Sequence, residues 1–195
     1  MPKVKALNRN GEITWCTAKV PGHGNCNHVF HKTKDVSDEQ FQQEVDNYNE
    51  KMTRLVHSGN VKWRLEAALA GYGLERLVYD KNPEVRAAVA ENGYGLDELA
   101  HDDSWHVRLV VANKGYYSKS LVYDDKWEIR RAVARHGHDL KTLAFDNDPN
   151  VRYAVAEQGY GLEFLKNDTC LEVRQLARKK LMELEEAKNQ TLLSD

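Results

Sequence analysis

The chain has 195 residues, 41% of them hydrophobic and 30% charged, with 28 Lys+Arg against 30 Asp+Glu. That length leaves room for a sizeable core, and the near-neutral charge weighs against a partner gripped mainly through its phosphates. No apolar run reaches the roughly 18 residues of a membrane span, residues 1–5 lack the apolar stretch of a secretory signal, and the three cysteines (Cys16, Cys26 and Cys170) are an odd, sparse set. The expected setting is the cytoplasm, without a membrane partner or a disulfide framework.

Residues 1–57 are aperiodic and predict a small α+β module. Asn10-Gly11 between short β-prone runs is the signal of a tight hairpin. Ser37-Asp38-Glu39-Gln40 has the form of a capping box, and Phe41, Val45, Tyr48, Met52 and Leu55 recur at helical spacing, which predicts one long amphipathic helix. Its apolar face is expected to cover the first of the repeats that follow.

Between hairpin and helix, the 16–31 segment gathers Cys16, His23, Cys26, His28 and His31. Zinc takes four N or S ligands in a tetrahedron, and H-x-x-C followed by H-x-x-H can bend around one ion, with Cys16 supplied by the end of a strand. The spacing is not that of paired C-x-x-C motifs. The alternatives are a Gly-rich surface loop whose histidines happen to cluster, and a Cys nucleophile beside a His base, for which no orienting residue or oxyanion hole is identifiable.

From residue 58 a period of 22 takes over. Arg64, Arg86, Arg108, Arg130, Arg152 and Arg174 keep it, as do Asp80, Asp102, Asp124, Asp146 and Asp168. Leu77, Leu99, Leu121, Leu143 and Leu165 form a third column, and Gly71, Gly93, Gly115, Gly137 and Gly159 a fourth. Such a period means a repeat architecture. In one unit Val85, Ala88 and Val89 lie at i, i+3 and i+4 behind Pro83, which predicts a short helix capped by Asp80 or Asn82 and ended by Gly93 in the left-handed conformation. Leu96 and Leu99 mark a second, shorter helix, so each unit is a small helical hairpin.

The motif D-x-x-P-x-V-R-x-A-V-A followed by G-x-x-L-x-x-L resembles short HEAT-like repeats, and especially the leucine-rich repeat variant. That resemblance covers residues 59–168 and implies a mainly α fold, a right-handed α-solenoid of five repeats. It also implies that the repeated Asp and Arg tie successive turns together. The variant family's founding example is associated with an iron–sulfur site upstream of its repeats, but the three cysteines here are one short of a four-cysteine cluster.

Residues kept once per repeat serve the packing, and the column Ala68, Ala90, Ala112, Ala134 and Ala156 is expected to let helices approach closely. Function is sought where the repeat varies. One column reads Tyr79, His101, Tyr123, Phe145 and Asn167, and another Glu75, Asp97, Lys119, Lys141 and Glu163. With Trp105 and Trp127, expected in the loops before two first helices, the aromatic column is either a partly exposed binding stripe or filling between thin layers. Tyr72, Tyr94, Tyr116 and Tyr160, beside the turn glycines, are read as structural.

Residues 169–195 predict a capping helix over 171–184 and an acidic tail. The favoured function is a non-catalytic protein whose repeat surface binds another macromolecule, first of all a protein, as an adaptor or as an inhibitor of the kind a virus or mobile element encodes. A nucleic-acid or phosphate binder is the second reading, although residues 58–180 hold 19 Lys+Arg and 19 Asp+Glu. A metal-dependent module or enzyme built on the 16–31 segment is the third.

Overall fold

The computed structural model describes residues 4–8, 11–16, 28–32 and 36–192. It is mainly helical, and its contacts divide it into two compact units, Met1–Gly95 and Leu96–Asp195.

In the first unit β1 (Val4–Asn8), β2 (Ile13–Cys16) and β3 (His28–His31) form one antiparallel sheet in the order β2-β1-β3. The hairpin expected at Asn10-Gly11 is β1–β2, with Leu7 opposite Ile13. The third strand departs from the sequence reading, which made the whole 16–31 segment a loop. His28-Val29-Phe30-His31 contains two β-prone residues, a weak signal beside so many potential metal ligands.

Helix α1 (Asp38–Val56) starts as expected: the Gln40 N–H donates to the Ser37 hydroxyl at 3.1 Å and the Ser37 N–H donates to the Gln40 side chain at 3.0 Å. Phe41 and Val45 are buried with Leu7 of β1, and Val36 and Tyr48 pack on that cluster. Met52, Leu55 and Val56 are buried farther along the helix, which neighbours α2 (Val61–Leu69). The unit ends with α3 (Leu74–Leu77) and α4 (Pro83–Glu91), and α2 packs on α4.

The second unit holds α5 (Leu96–Leu99), α6 (Trp105–Asn113), α7 (Lys119–Val122), α8 (Trp127–Arg135), α9 (Leu140–Leu143), α10 (Pro149–Glu157), α11 (Leu162–Leu165) and α12 (Leu171–Leu192). Nine-residue helices thus begin at 61, 83, 105, 127 and 149, one for each 22 residues, each followed by a four-residue helix. Here α6 packs on α8, α8 on α10 and α10 on α12.

Local chemistry sets these boundaries. Asn60, Asn82 and Asp148 are N-caps whose side chains accept from the N–H two residues on, at 2.9, 2.8 and 2.8 Å. Asn82 therefore caps α4, and Asp80 is released for another role. Pro83 and Pro149 are the first helical residues, where a missing N–H costs nothing. Trp105 and Trp127 take that same slot, so they begin α6 and α8 and do not lie in the preceding loops. After α4, Gly93 adopts φ +76°, its N–H bonds Ala90 O at 2.8 Å and the Tyr94 N–H bonds Val89 O at 3.3 Å, a Schellman ending. A Cβ at Gly93 would meet nothing within 4 Å, so the left-handed backbone, not crowding, is what selects glycine.

The repeated apolar columns are the core. Val85, Val107, Ile129, Val151 and Val173 are fully buried, as are Val89, Val111, Val133 and Val155, with Leu77, Leu99, Leu121, Leu143 and Leu165 from the short helices. Ala68, Ala90, Ala112, Ala134 and Ala156 are buried as well. The C-terminal helix outruns its expected end at 184 and carries Glu183, Glu185 and Glu186 within it to Leu192, since no Gly or Pro interrupts the run.

Candidate functional site

The Arg and Asp columns form a ladder with one geometry throughout. Arg64, Arg108, Arg130 and Arg152 each grip the carboxylate sixteen residues on, at Asp80, Asp124, Asp146 and Asp168. Nε donates to one oxygen at 2.5–2.7 Å and Nη2 to the other at 2.8–3.1 Å, a bidentate fork. The same carboxylate accepts the N–H two residues on, from Asn82, Lys126, Asp148 and Cys170, and so fixes the turn into the next long helix. The remaining guanidinium nitrogen reaches back to the carbonyl of the preceding column Asp, as from Arg130 to Asp124 O and from Arg152 to Asp146 O, both at 2.7 Å.

These groups are engaged on every side and largely buried: Asp146 is 7% exposed and Arg130 17%. Burial pushes the Asp80 carboxyl up, yet the bonds from Arg64 and the Asn82 N–H outweigh it and hold Asp80 below the usual carboxylate value. At Asp168 the Arg152 guanidinium is the largest influence, and the carboxyl again lies low. Among the described residues, both carboxylate oxygens of each pair and all three nitrogens of each guanidinium are engaged, which fits a structural part.

A second ladder escaped the sequence reading. From the C-caps of three long helices Asn92 donates to Ala68 O at 2.9 Å, His136 pairs with Asn113 O at 3.0 Å and Gln158 donates to Arg135 O at 2.9 Å, and from within α12 Lys180 donates to Glu157 O at 2.8 Å. At Asn113, Arg135 and Glu157 the bond satisfies a carbonyl to which no backbone N–H is bonded among the described residues, whereas Ala68 O also accepts the Gly71 N–H at 2.9 Å. The signal was present in sequence: positions 92, 114, 136, 158 and 180 are Asn, Lys, His, Gln and Lys, all side chains with an N–H.

The aromatic column immediately precedes the column Asp. In the first unit Tyr79 is 72% exposed; in the second, Tyr123 is 70% and Phe145 73% exposed, and His101 is exposed too. These rings do not fill space between layers. Lys119 and Lys141 are exposed one helical turn before Tyr123 and Phe145. Phe145 stacks on Phe164, which lies outside that column, with centroids 5.0 Å apart and planes 3° from parallel. Trp105 is partly exposed, whereas Trp127 is half-buried under the Arg131 guanidinium, 5.0 Å from the ring centroid. Of the tyrosines beside the turns, Tyr116 donates to Asp97, and Tyr94 and Tyr160 remain substantially exposed.

Each unit has a groove beside its aromatic column residues, the two groove positions being three periods apart in sequence. In the first, of about 670 Å³, Arg64 and Asp80 form the floor, with His57, Arg76, Tyr79 and Lys81 around it. In the second, of about 320 Å³, Arg130 and Asp146 form the floor, with Tyr123, Thr142, Phe145 and Asn147 around it.

Of the proposed metal ligands, His23 and Cys26 lie outside the described residues. Cys16, His28 and His31 are placed by backbone register alone: Cys16 opposite Val4, His31 opposite Ala6 and His28 opposite Asn8, on the two strands that flank β1. Among the described residues, no three His, Cys, Asp or Glu side chains converge in a way that would hold a metal ion, and no helix is long and apolar enough to cross a membrane. No family model, no curated protein and no solved structure matches the chain.

The lowered carboxyls of Asp80 and Asp168 set a pH dependence. Their folded values lie below their unfolded ones, so the stability they add is complete above the ordinary carboxylate range and is lost as pH falls through it. The thermal midpoint of the helical signal is expected to hold steady from neutral pH to about pH 5 and to drop below that. A midpoint unchanged down to about pH 3 would contradict this.

Proposed function

We infer that the chain is a non-catalytic binding protein, a right-handed α-solenoid of five HEAT-like, leucine-rich-repeat-variant-like repeats whose surface engages another protein. Three features support the architecture: the 22-residue period runs through both units without a break, the Arg–Asp tie recurs in each, and consecutive long helices pack on one another within each. One observation carries the function: Tyr79, Tyr123 and Phe145 are about 70% exposed at a position the repeat keeps next to its most rigid contact. Covering an exposed ring of this size releases roughly 1.5–3 kcal/mol, and aromatic side chains held on a rigid frame are the usual anchors of protein interfaces. Lys119 and Lys141 would form the polar rim beside two of the anchors. An adaptor and an inhibitor of viral or mobile-element origin both fit this description.

The test is crosslinked capture from cells of the source organism with the full chain and with a Tyr123→Ser/Phe145→Ser variant. A specific protein is expected with the parent chain and a loss of about tenfold or more with the variant, at unchanged helical signal. Equal recovery by both chains, or no specific protein with the parent, would sink the reading.

A zinc site at Cys16, His23, Cys26, His28 and His31 is a second, separate proposal. It rests on the density of N and S ligands in the 16–31 segment, whose two ends lie on the strands that flank β1. Elemental analysis of untagged protein is expected to find about one zinc per chain, and Cys26→Ala to lose it while the helical signal stays. Absence of zinc from the parent, or equal zinc in the variant, would rule this site out.

A further inference from the structure

The two grooves share a floor and differ in everything that the repeat leaves free. Three residue positions decide their chemistry. His57, Arg76 and Lys81 in the first groove correspond, three periods later, to Tyr123, Thr142 and Asn147 in the second. Along the chain, the position of Arg76 is taken by Glu98, Ser120, Thr142 and Phe164, and that of Lys81 by Asp103, Asp125, Asn147 and Thr169. The first repeat is the one with a cation at both.

Those cations are not needed by the fold. Arg64 and Asp80 neutralise each other, with Arg64 also held by the carbonyls of Ser58 and Gly59. Arg76 and Lys81 are exposed, and no hydrogen bond or ion pair engages either side chain among the described residues. Two positive charges, of which Lys81 also acts electrostatically on Asp80, therefore face a groove of about 670 Å³, within the range of small-ligand pockets, with His57 as a further N–H donor. Beside them stands Tyr79, its ring 72% exposed and its backbone fixed by the turn in which Asp80 is locked. Cations that attract a phosphate next to a flat ring that accepts a base are the two halves of nucleotide recognition.

We propose that this groove is a nucleotide site: Arg76 and Lys81 hold the phosphate and Tyr79 stacks on the base. The same chemistry is presented by a free nucleotide and by one unit of a single-stranded nucleic acid. Tyr79 belongs to the proposed protein-binding column as well, but Arg76 and Lys81 do not and the site uses neither Tyr123 nor Phe145, so Arg76→Thr/Lys81→Asn and Tyr123→Ser/Phe145→Ser give separate readouts.

The test is titration of the full chain with ADP, with inorganic pyrophosphate and with a short fluorescein-labelled thymidylate strand. The key variant is Arg76→Thr/Lys81→Asn, which installs the residues that the fold already accommodates at Thr142 and Asn147. Unchanged circular dichroism and melting of that variant check its folding. The expected result is binding of ADP, the strand or both to the parent chain and a loss of about tenfold or more in the variant. Tyr79→Asn, which copies Asn167, is expected to weaken ADP or the strand by about tenfold and pyrophosphate by less than about twofold. ADP binding without the strand identifies a free nucleotide as the ligand; tighter, steeply salt-dependent strand binding identifies a nucleic acid. No binding of either at millimolar concentration, or binding indifferent to Arg76→Thr/Lys81→Asn, overturns the proposal. Pyrophosphate binding as tight as ADP and indifferent to Tyr79→Asn overturns the nucleotide assignment.

Discussion

A repeat of 22 residues is too thin to enclose a core of its own, so each layer must be fastened to the next, and the bidentate Arg–Asp pair does this. Arg130 illustrates the economy of the arrangement: one side chain clamps Asp146 ahead of it and the carbonyl of Asp124 behind it, while Asp146 also holds the N–H of Asp148. A buried carboxylate alone would be strongly unfavourable, and a buried guanidinium equally so. Each is tolerable because every guanidinium nitrogen and both carboxylate oxygens have a partner, and the same bonds fix where α8 and α10 begin. The columns of Val, Ile, Leu and Ala then need only fill the space that this register defines.

A frame fastened in this way frees its surface. The turn next to each column Asp is rigid, and the residue immediately before the Asp points away from the core, which is why Tyr79, Tyr123 and Phe145 stay exposed on a stable backbone. Neighbouring positions vary, from Arg76 and Lys81 to Thr142 and Asn147, and so the same groove takes on different chemistry in different repeats. The proposed protein-binding edge and the proposed nucleotide site both depend on this separation between a repeated frame and unrepeated decoration.

Much of the frame is legible in sequence because a period multiplies weak signals. One Pro83 or one Gly93 is a suggestion, whereas five glycines in register fix the helix ends and five leucines fix the short helices. Where the period is silent, local chemistry misleads. Trp105 and Trp127 look like loop residues, but they occupy the slot that Pro83 and Pro149 take elsewhere, since the first helical position needs no N–H and tolerates either. Strand β3 was missed because it pairs with β1 over a long sequence separation that no local pattern reports. The exposure of the aromatic column was undecided in sequence, as Tyr and Phe serve cores and interfaces alike. The grooves, too, require the fold, because they join residues from both sides of a long helix.

The central claim is that the Arg and Asp columns are ties between layers and not ligand-binding groups. A double-mutant cycle on Arg130→Met and Asp146→Asn tests it most directly, read by urea unfolding of the helical signal. Met keeps most of the apolar stem, and Asn keeps an acceptor for the Asp148 N–H, so the cycle isolates the fork itself. The account requires each single variant to be destabilised and a coupling energy of about 1–3 kcal/mol between them. Additive effects, with coupling below about 0.3 kcal/mol, would contradict it.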